Sequence, residues 1–297
     1  MSILTRAYNH DEDFTWVTSF LANSFFLPGS FQMWIPSRFE NSVFFDTERA
    51  NHVHLWIDTE ELVGIGLVDP PNEIILLTHP DYIYLHNEMI SWAEQNLSNI
   101  QKADKEIDSW FTYSIQNNTE HNVMLEKLGY EVQSDCEHVR VRKPSSPLLD
   151  IPLPDEYSIK PISQDYYDQY VKAIETVFNH PHFTHEVFTA MRKTVFYHED
   201  LNLGAFTKDG SIAAFAMMRI DENKIAEFEP VGTLPEHRKQ GLAKALMKES
   251  FIRAEKYNPK LFYVGGAPTE EADRLYESVG FGDMRTVLRW SKKIPTK

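Results

Sequence analysis

A short basic segment, Arg238-Lys239-Gln240-Gly241-Leu242-Ala243, lies between a run typical of a β-strand and a run typical of a helix. The strand run covers Ile225 to Val231, and the helical run extends from about Gln240 to Tyr257. Such a junction favours anions, because the first backbone N–H groups of a helix lack partners within it and its dipole attracts negative charge. Gly241 has no Cβ, so a phosphate can approach the backbone there, and Arg238 can add a bidentate contact. The segment is therefore a candidate phosphate site.

A second informative run, Thr269 to Phe281, reads Thr-Glu-Glu-Ala-Asp-Arg-Leu-Tyr-Glu-Ser-Val-Gly-Phe. It has the signals of a short helix. Thr269 can cap the start, acidic residues follow the cap, and Gly280 can end the helix. Tyr276 brings a phenol onto this helix.

The two segments together resemble motifs A and B of the GCN5-related N-acetyltransferases, the GNAT family. Arg238, Gly241 and Ala243 fill the fixed positions of Arg-x-x-Gly-x-Gly/Ala, and Leu275-Tyr276-Glu277-x-x-Gly280-Phe281 follows about 35 residues later. Glu229-Pro230-Val231-Gly232-Thr233 resembles the end of the family's fourth strand, so the resemblance covers most of residues 155 to 292. Two departures are mild: Thr269 replaces the usual Asn, and Ala243 the commoner Gly.

The resemblance implies transfer of an acetyl group from acetyl-coenzyme A to an amine of a small molecule or peptide. It also implies that the motif A loop holds the pyrophosphate and that no metal is needed. The residues expected to hold the cofactor are Val231, Thr233, Arg238, Lys239, Gln240, Gly241, Leu242, Ala243 and Lys244. A non-catalytic acyl-coenzyme A sensor or scaffold is the alternative function.

Direct transfer needs a base, because an alkylamine is mostly protonated at neutral pH, and the departing thiolate benefits from an acid. Tyr276 is the candidate acid, since a phenol can donate a proton from within a mostly apolar groove. Glu227 and Glu229 are candidate bases, because alternate residues of a strand share one face. Pro230 cannot donate a ladder bond, which predicts a bulge or splay that frees main-chain groups for the cofactor. The alternatives are a packing role for Tyr276 and a solvated sheet face for the glutamates.

One histidine cluster offers a different chemistry. His180, His182 and His185 have spacings that can support a metal site, but Asn179 and Pro181 indicate a loop. We expect no metal. His182 or Phe183 is a candidate contact for the acceptor.

Composition limits the possible functions of the whole chain. It has 297 residues, 42% hydrophobic, with 29 basic and 44 acidic residues and a net charge of −15. That charge makes nucleic acid and anionic membranes poor partners. The single cysteine, Cys136, excludes an intrachain disulfide and fits a reducing compartment. The polar start and the lack of a long apolar run predict a soluble, cytoplasmic protein. An oligomer remains compatible with the sequence.

The two halves of the chain look like copies of one unit. Trp56 to Gly64 and Phe206 to Ala214 both read as strand, turn, strand, and they lie about 150 residues apart. Met124 to Tyr130 matches Leu275 to Phe281 at nearly the same offset. The Pro- and Ser-rich segment between them predicts a degenerate GNAT-like domain over 1–145, a linker over 146–156 and a catalytic GNAT domain over 157–297.

The first copy lacks the residues of the candidate site. Its corresponding region, Thr78 to Glu94, contains no glycine, and Leu125 stands where the second copy has Tyr276. Asn118 keeps the motif B Asn that Thr269 replaces. We therefore expect one acetyl-coenzyme A site per chain; the alternative is that the repeat is coincidental and this half is another α/β module.

The elements of the second half predict a mixed α/β fold. We expect strands at 157–161, 203–208, 211–220, 224–231, 261–264 and 286–290, and helices at 165–178, 185–197, 240–257 and from Thr269. This order implies, through the resemblance, two tandem domains, each a mostly antiparallel twisted sheet flanked by helices.

Overall fold

The computed structural model describes residues 3–27, 34–44, 47–100, 107–179 and 183–295. The chain forms two compact units. Unit 1 comprises Met1–Val139 and Arg285–Lys297, and unit 2 comprises Arg140–Met284. The end of the chain thus belongs with the first half, whereas the sequence alone assigned it to the second. Residues 143–156, which include the predicted linker, form neither helix nor strand.

Unit 1 is a sheet with helices between its strands. Its strands are β1 (Ile3–Ala7), β2 (Val53–Asp58), β3 (Glu61–Asp69), β4 (Glu73–Thr78) and β5 (Ser109–Ile115), and β6 (Glu131–Arg142) runs from unit 1 into unit 2. Its helices are α1 (His10–Phe25), α2 (Pro36–Phe44), α3 (Thr47–Ala50), α4 (His86–Ile100) and α5 (Thr119–Lys127). The strands β1 to β4 pair antiparallel in order, and β4 pairs parallel with β5.

Unit 2 repeats this plan. Its elements are β7 (Tyr157–Pro161), α6 (Tyr167–Phe178), α7 (His185–Met191), β8 (Tyr197–Thr207), β9 (Ile212–Ile220), β10 (Ile225–Thr233), α8 (Leu242–Ala254), β11 (Leu261–Gly266) and α9 (Glu270–Ser278). The strands β7 to β10 pair antiparallel in order, and β10 pairs parallel with β11. Two units with the same sequence of pairings confirm the predicted duplication and the mostly antiparallel α/β fold.

The last strand shows why residues 285–297 belong to unit 1. β12 (Gly282–Lys293) begins in unit 2, and its residues from Val287 to Lys293 pair antiparallel with β5. The indole of Trp290 donates a hydrogen bond to the hydroxyl of Ser114 on β5, with Nε1 and Oγ 2.8 Å apart. The strand was predicted, but its partner was not, because pairing between distant strands leaves no local pattern.

One predicted helix is wrong in its second part. The pattern predicted a helix from His185 to Tyr197, but α7 ends at Met191 and Tyr197 begins β8. Tight turns end the helix, because the N–H groups of Lys193 and Thr194 donate to the carbonyl oxygens of Ala190 and Met191, three residues back. Oγ1 of Thr194 also donates to the carbonyl oxygen of Met191, at 2.7 Å. The other predicted elements are present, with ends shifted by a few residues.

The core of unit 2 fixes the helices that carry the two motifs. Met247 and Phe251 of α8 and Tyr276 of α9 are buried together with Phe228 of β10 and Val264 of β11. Each large apolar side chain buried in this way stabilises the fold by about 1.5–3 kcal/mol. Packing therefore holds both motifs against β10 and β11.

Candidate active site

The parallel strands β10 and β11 part near the middle of β10. They are paired at Ile225/Leu261, Ala226/Phe262 and Glu227/Tyr263. Beyond Glu227, in a stretch that the structure describes fully, β10 pairs with β9 but not with β11. Its register with β9 shifts between Phe228 and Val231. The shift lies at Pro230, whose nitrogen carries no hydrogen for a ladder bond. The predicted bulge is present, and the main chain of residues 231–233 has no ladder with β11.

The loop after β10 leads to the N-terminus of α8, which no side chain caps. Lys239 and Gly241 have φ angles of 63° and 80°. Gly241 is the N-cap of α8 and has no side-chain cap hydrogen bond, and a Cβ built on it meets no atom within 4 Å. Leu242 is buried in the core and fixes the start of the helix. The loop thus offers uncapped backbone N–H groups beside free space, which suits a phosphate.

Basic side chains surround this helix start. Arg238 and Lys239 are exposed, and Lys244 is half-buried. The Nε of Arg238 donates to the carbonyl oxygen of Thr233 at 3.2 Å, which ties the guanidinium to the end of β10. In a chain of strongly negative net charge, this cluster is a local positive site.

Tyr157 of β7 braces the same loop. Its hydroxyl donates to Oε1 of Gln240 at 2.9 Å and lies 2.9 Å from Nδ1 of His237. The side chain of Gln240 is therefore engaged by the protein, which leaves its main chain as the predicted contact for a ligand. No local pattern could have indicated Tyr157, because it lies far from the loop in sequence.

Tyr276 lies beside the separated end of β11. It is 8% exposed, and a Cβ built on Gly266 would be 3.6 Å from its hydroxyl oxygen. Thr269 caps α9 as predicted, since its Oγ1 accepts from the backbone N–H of Ala272 at 3.2 Å. Arg140 bonds Asp273 of the same helix at 2.5 Å. The phenol is thus held near the end of β11, where β10 is no longer paired with it.

The two candidate glutamates differ in their surroundings. Glu227 is fully buried and bonds Arg219 of β9, with Oε2 and Nη2 3.4 Å apart. The alternative of a solvated sheet face is therefore wrong for Glu227. Glu229 is half-buried at the bulge. Burial raises the pKa of the Tyr170 phenol well above its usual value, and the charges of Tyr197 and Glu229 raise it further, so Glu229 lies within electrostatic reach of α6.

The structure describes only His185 of the histidine cluster. His180 and His182 lie outside the described residues. His185 begins α7, with its ring 6.1 Å from that of Tyr167. Within the described ranges, no three His, Cys, Asp or Glu side chains are grouped to hold an ion.

Unit 1 has a different structure at the position of unit 2's candidate phosphate loop. After β4 the chain forms a 3-10 helix, Pro80–Leu85, which continues into α4, and the N–H of His86 donates to the carbonyl oxygen of Ile83. His86 is buried; its Nε2 lies 2.5 Å from Oγ1 of Thr78, and its ring lies 4.5 Å from that of His121. Leu125, fully buried, replaces Tyr276. This region of unit 1 therefore has no glycine turn at which a phosphate could approach the backbone.

A model of the acetyltransferase (GNAT) family matches residues 161–281, a span that contains both motifs. Residues 161–281 belong to the GNAT family. The family predicted from the motifs is thus confirmed. In this GNAT domain, motif A is the loop before α8, and motif B is α9 with the turn at Gly280. No curated protein matches the sequence.

Solved structures resemble the whole chain rather than the GNAT domain alone. A GCN5-related N-acetyltransferase from Sphaerobacter thermophilus aligns with a TM-score of 0.73 at 17% identity, over 99% of this chain and 96% of its own. A tandem GNAT protein from the clavulanic acid biosynthesis pathway aligns with a TM-score of 0.70 at 12% identity, over 100% and 99%. A GNAT-family acetyltransferase from Colwellia psychrerythraea aligns with a TM-score of 0.62 at 12% identity, over 98% and 100%. These likenesses show a tandem GNAT fold.

In the described ranges, no helix combines the length and apolar character needed to cross a bilayer.

Proposed function

We propose that the GNAT domain transfers an acetyl group from acetyl-coenzyme A to the amine nitrogen of a small molecule or peptide. The observation that carries this proposal is the separation of β10 from β11. The loop that follows β10 leads to the uncapped start of α8, and the Tyr276 hydroxyl lies beside Gly266 on β11. The same cleft then has an anion site for a cofactor's phosphates and an acid for a leaving group.

Different groups of the chain bind different parts of acetyl-coenzyme A. The N–H groups at the start of α8 and the guanidinium of Arg238 bind the pyrophosphate, because both supply donors and positive charge to the same space. The main chain of Val231 to Thr233 pairs with β9 on one side. Its other edge holds the pantetheine arm by hydrogen bonds, since a strand edge without a partner retains donors and acceptors. Lys239 and Lys244 add charge around the phosphates.

The bound acetyl-coenzyme A supplies an activated thioester. The amine nitrogen forms a bond to its carbonyl carbon, the carbon–sulfur bond breaks, and the electron pair leaves on sulfur. One proton leaves the amine for a base, and Tyr276 donates one to the departing sulfur. The tyrosinate is then reprotonated from solvent.

Glu229 is the better of the two candidate bases. Glu227 is fully buried and bonds Arg219, so its carboxylate is committed to an ion pair. Glu229 is half-buried at the bulge, one residue beyond the regular ladder. It can reach the amine directly or through one water, since a base must lie within hydrogen-bond reach of the proton it removes.

The function is tested by incubating the full chain with acetyl-coenzyme A and a panel of primary amines, with detection of free thiol and of acetylated product by mass spectrometry. We expect amine-dependent thiol release and one bound acetyl-coenzyme A per chain by calorimetry. Binding without acetylation of any amine would instead support a sensor, and two equivalent sites per chain would contradict the loss of the site in unit 1.

A further inference from the structure

Among the buried side-chain polar atoms of unit 2 that have no hydrogen-bond partner within the described residues, three belong to neighbouring side chains. They are Oη of Tyr167, Oη of Tyr170 and Oδ1 of Asn202. Tyr170 and Asn202 are fully buried, and Tyr167 is 3% exposed. A buried polar atom without a partner costs about 1–3 kcal/mol, so proteins normally satisfy such atoms with protein, water or ligand.

These side chains belong to one cluster. The rings of Tyr167 and Tyr170 each lie 4.9 Å from that of Phe188 on α7, and the ring of Tyr197 lies 6.4 Å from the same ring. Asn202 donates from Nδ2 to the hydroxyl of Tyr197 at 3.4 Å. We call Tyr167, Tyr170, Tyr197 and Asn202 the polar cluster.

The polar cluster lies against the part of β10 that borders the cleft. The ring of Tyr170 lies 5.4 Å from that of Phe215. Phe215 is directly opposite Gly232, and its ring lies so close over this glycine that a Cβ there would collide with it. The charge of Glu229, the candidate base, also reaches the Tyr170 hydroxyl. The cluster is therefore adjacent to the proposed reaction site.

Two arginines beside the polar cluster already form ion pairs. Arg219, opposite Tyr197 on the neighbouring strand, bonds Glu227, and both are fully buried. Arg192 lies over the ring of Tyr167 at 4.6 Å and bonds Glu199 at 3.6 Å. An anionic ligand group brought here would find both guanidinium groups already paired, and any charged group would lose its water, which is unfavourable.

We propose that the polar cluster recognises an uncharged hydroxyl or amide group at the end of the acceptor that lies away from its reacting nitrogen. This inference rests on the proposed acetyl transfer and names the class of its acceptor. Oδ1 of Asn202 only accepts a hydrogen bond, whereas the tyrosine hydroxyls can donate or accept. A ligand hydroxyl can donate to Asn202 or accept from a tyrosine hydroxyl of the cluster, so it can supply a partner that these atoms lack. A carboxylate cannot donate to Asn202, and a methyl group satisfies neither atom.

The test uses amines of matched length that differ only in the distant group. The probes are 4-aminobutanol, 4-aminobutanamide, pentylamine, 4-aminobutanoate and putrescine. We measure kcat/KM for acetylation, and also binding of each amine to the full chain with coenzyme A by saturation-transfer NMR. We expect the alcohol and the amide to exceed the other three by at least about tenfold in kcat/KM, a difference equivalent to about 1.4 kcal/mol.

Two variants test whether the polar cluster causes that preference. Tyr170→Phe and Asn202→Leu should each reduce the preference of the alcohol over pentylamine by about tenfold or more, mainly through KM. Tyr166→Phe on the preceding turn, whose hydroxyl accepts from Lys160 at 2.5 Å, is the matched control and should leave the preference unchanged. The thermal midpoint of Tyr170→Phe should not fall, because the hydroxyl removed has no partner within the described residues.

The outcomes separate this inference from the proposed function. Acetylation without preference for the alcohol or amide overturns the inference but leaves the transferase. Preferential binding of the alcohol without acetylation supports the cluster and contradicts the transferase. A loss of stability in Tyr170→Phe with an unchanged preference shows that the cluster holds only structural water.

Discussion

Arg219 and Glu227 lie directly opposite each other on β9 and β10 and form an ion pair that is closed to solvent, with Nη2 and Oε2 3.4 Å apart. On the next strand, Tyr263 is the parallel partner of Glu227, and this is the last position at which β10 and β11 are paired. The ion pair thus lies at the point where the cleft begins. We infer that the main role of the ion pair is to fix the position at which β10 and β11 separate.

Removing one side of this pair should destabilise the fold. Glu227→Ala leaves the Arg219 guanidinium buried without its carboxylate partner, which typically costs about 3–5 kcal/mol. We expect a fall of that size in the free energy of unfolding measured by urea titration. Glu229→Gln serves as the comparison and should change the free energy of unfolding by less than about 1 kcal/mol. A loss below about 1 kcal/mol in Glu227→Ala would contradict the structural role.

Glu229→Gln should instead affect the reaction. The amide keeps the size of the side chain but cannot accept the proton, so acetyl transfer should slow by about 10²–10⁴-fold with little change in acetyl-coenzyme A affinity. Rates measured from pH 6 to 10 check this, because a more basic solution should partly restore the variant by deprotonating the amine. An unchanged rate at neutral pH would remove Glu229 as the base.

Gly241→Glu should abolish acetyl-coenzyme A binding, because it places bulk and negative charge where the phosphates are expected. Gly210 offers a matched control: it also has a positive φ, 87° against 80°, and open space where a Cβ would lie, but it is in the β8–β9 turn. Gly210→Glu should strain the backbone to a similar extent and retain binding. Calorimetry on both variants decides, and equal losses would show that backbone strain, rather than the anion site, explains the effect.

Local signals in the sequence predicted much of this site. Thr269 caps α9, Gly280 ends it with a φ of 89°, and the register of β10 shifts at Pro230. Each feature depends on a residue's own geometry or hydrogen-bonding groups, which are visible in the sequence.

The features that the sequence did not predict depend on distant contacts. Tyr157 reaches Gln240 across a long sequence separation, and Trp290 reaches Ser114 from the other end of the chain. Arg219 is an intermediate case. It lies in the same hairpin as Glu227, but the predicted strands at 211–220 and 224–231 would place it opposite Ile225, so the sequence did not indicate the ion pair.

Unit 1 should lose stability in mild acid because of its buried histidines. Burial lowers the pKa of His121 to about 4, and burial together with the charge of His121 lowers the pKa of His86 well below its usual value. Both side chains titrate at about 6.5 in an unfolded chain. Between about pH 6.5 and 4 the unfolded state therefore takes up protons that the folded state does not, and the free energy of unfolding falls as the pH drops.

The variant His121→Gln measures this contribution. From pH 7 to pH 5 its free energy of unfolding should fall by about 2 kcal/mol less than that of the wild type, since one titrating group has been removed. Urea titration of unit 1, followed through the fluorescence of its tryptophans, gives both values. Equal falls in variant and wild type would show that His121 already accepts its proton in the folded state.

The most direct test of the account is single-turnover acetyl transfer by Tyr276→Phe with an amine that the wild type acetylates. The change keeps the ring beside Gly266 and removes only the hydroxyl. The account predicts nearly unchanged acetyl-coenzyme A affinity and a chemical step slower by about 10²–10⁴-fold, the usual effect of losing a general acid. Leu125→Met, at the matching position of unit 1, should leave the step unchanged. Near-normal turnover by Tyr276→Phe would contradict the account and leave this tyrosine a packing residue.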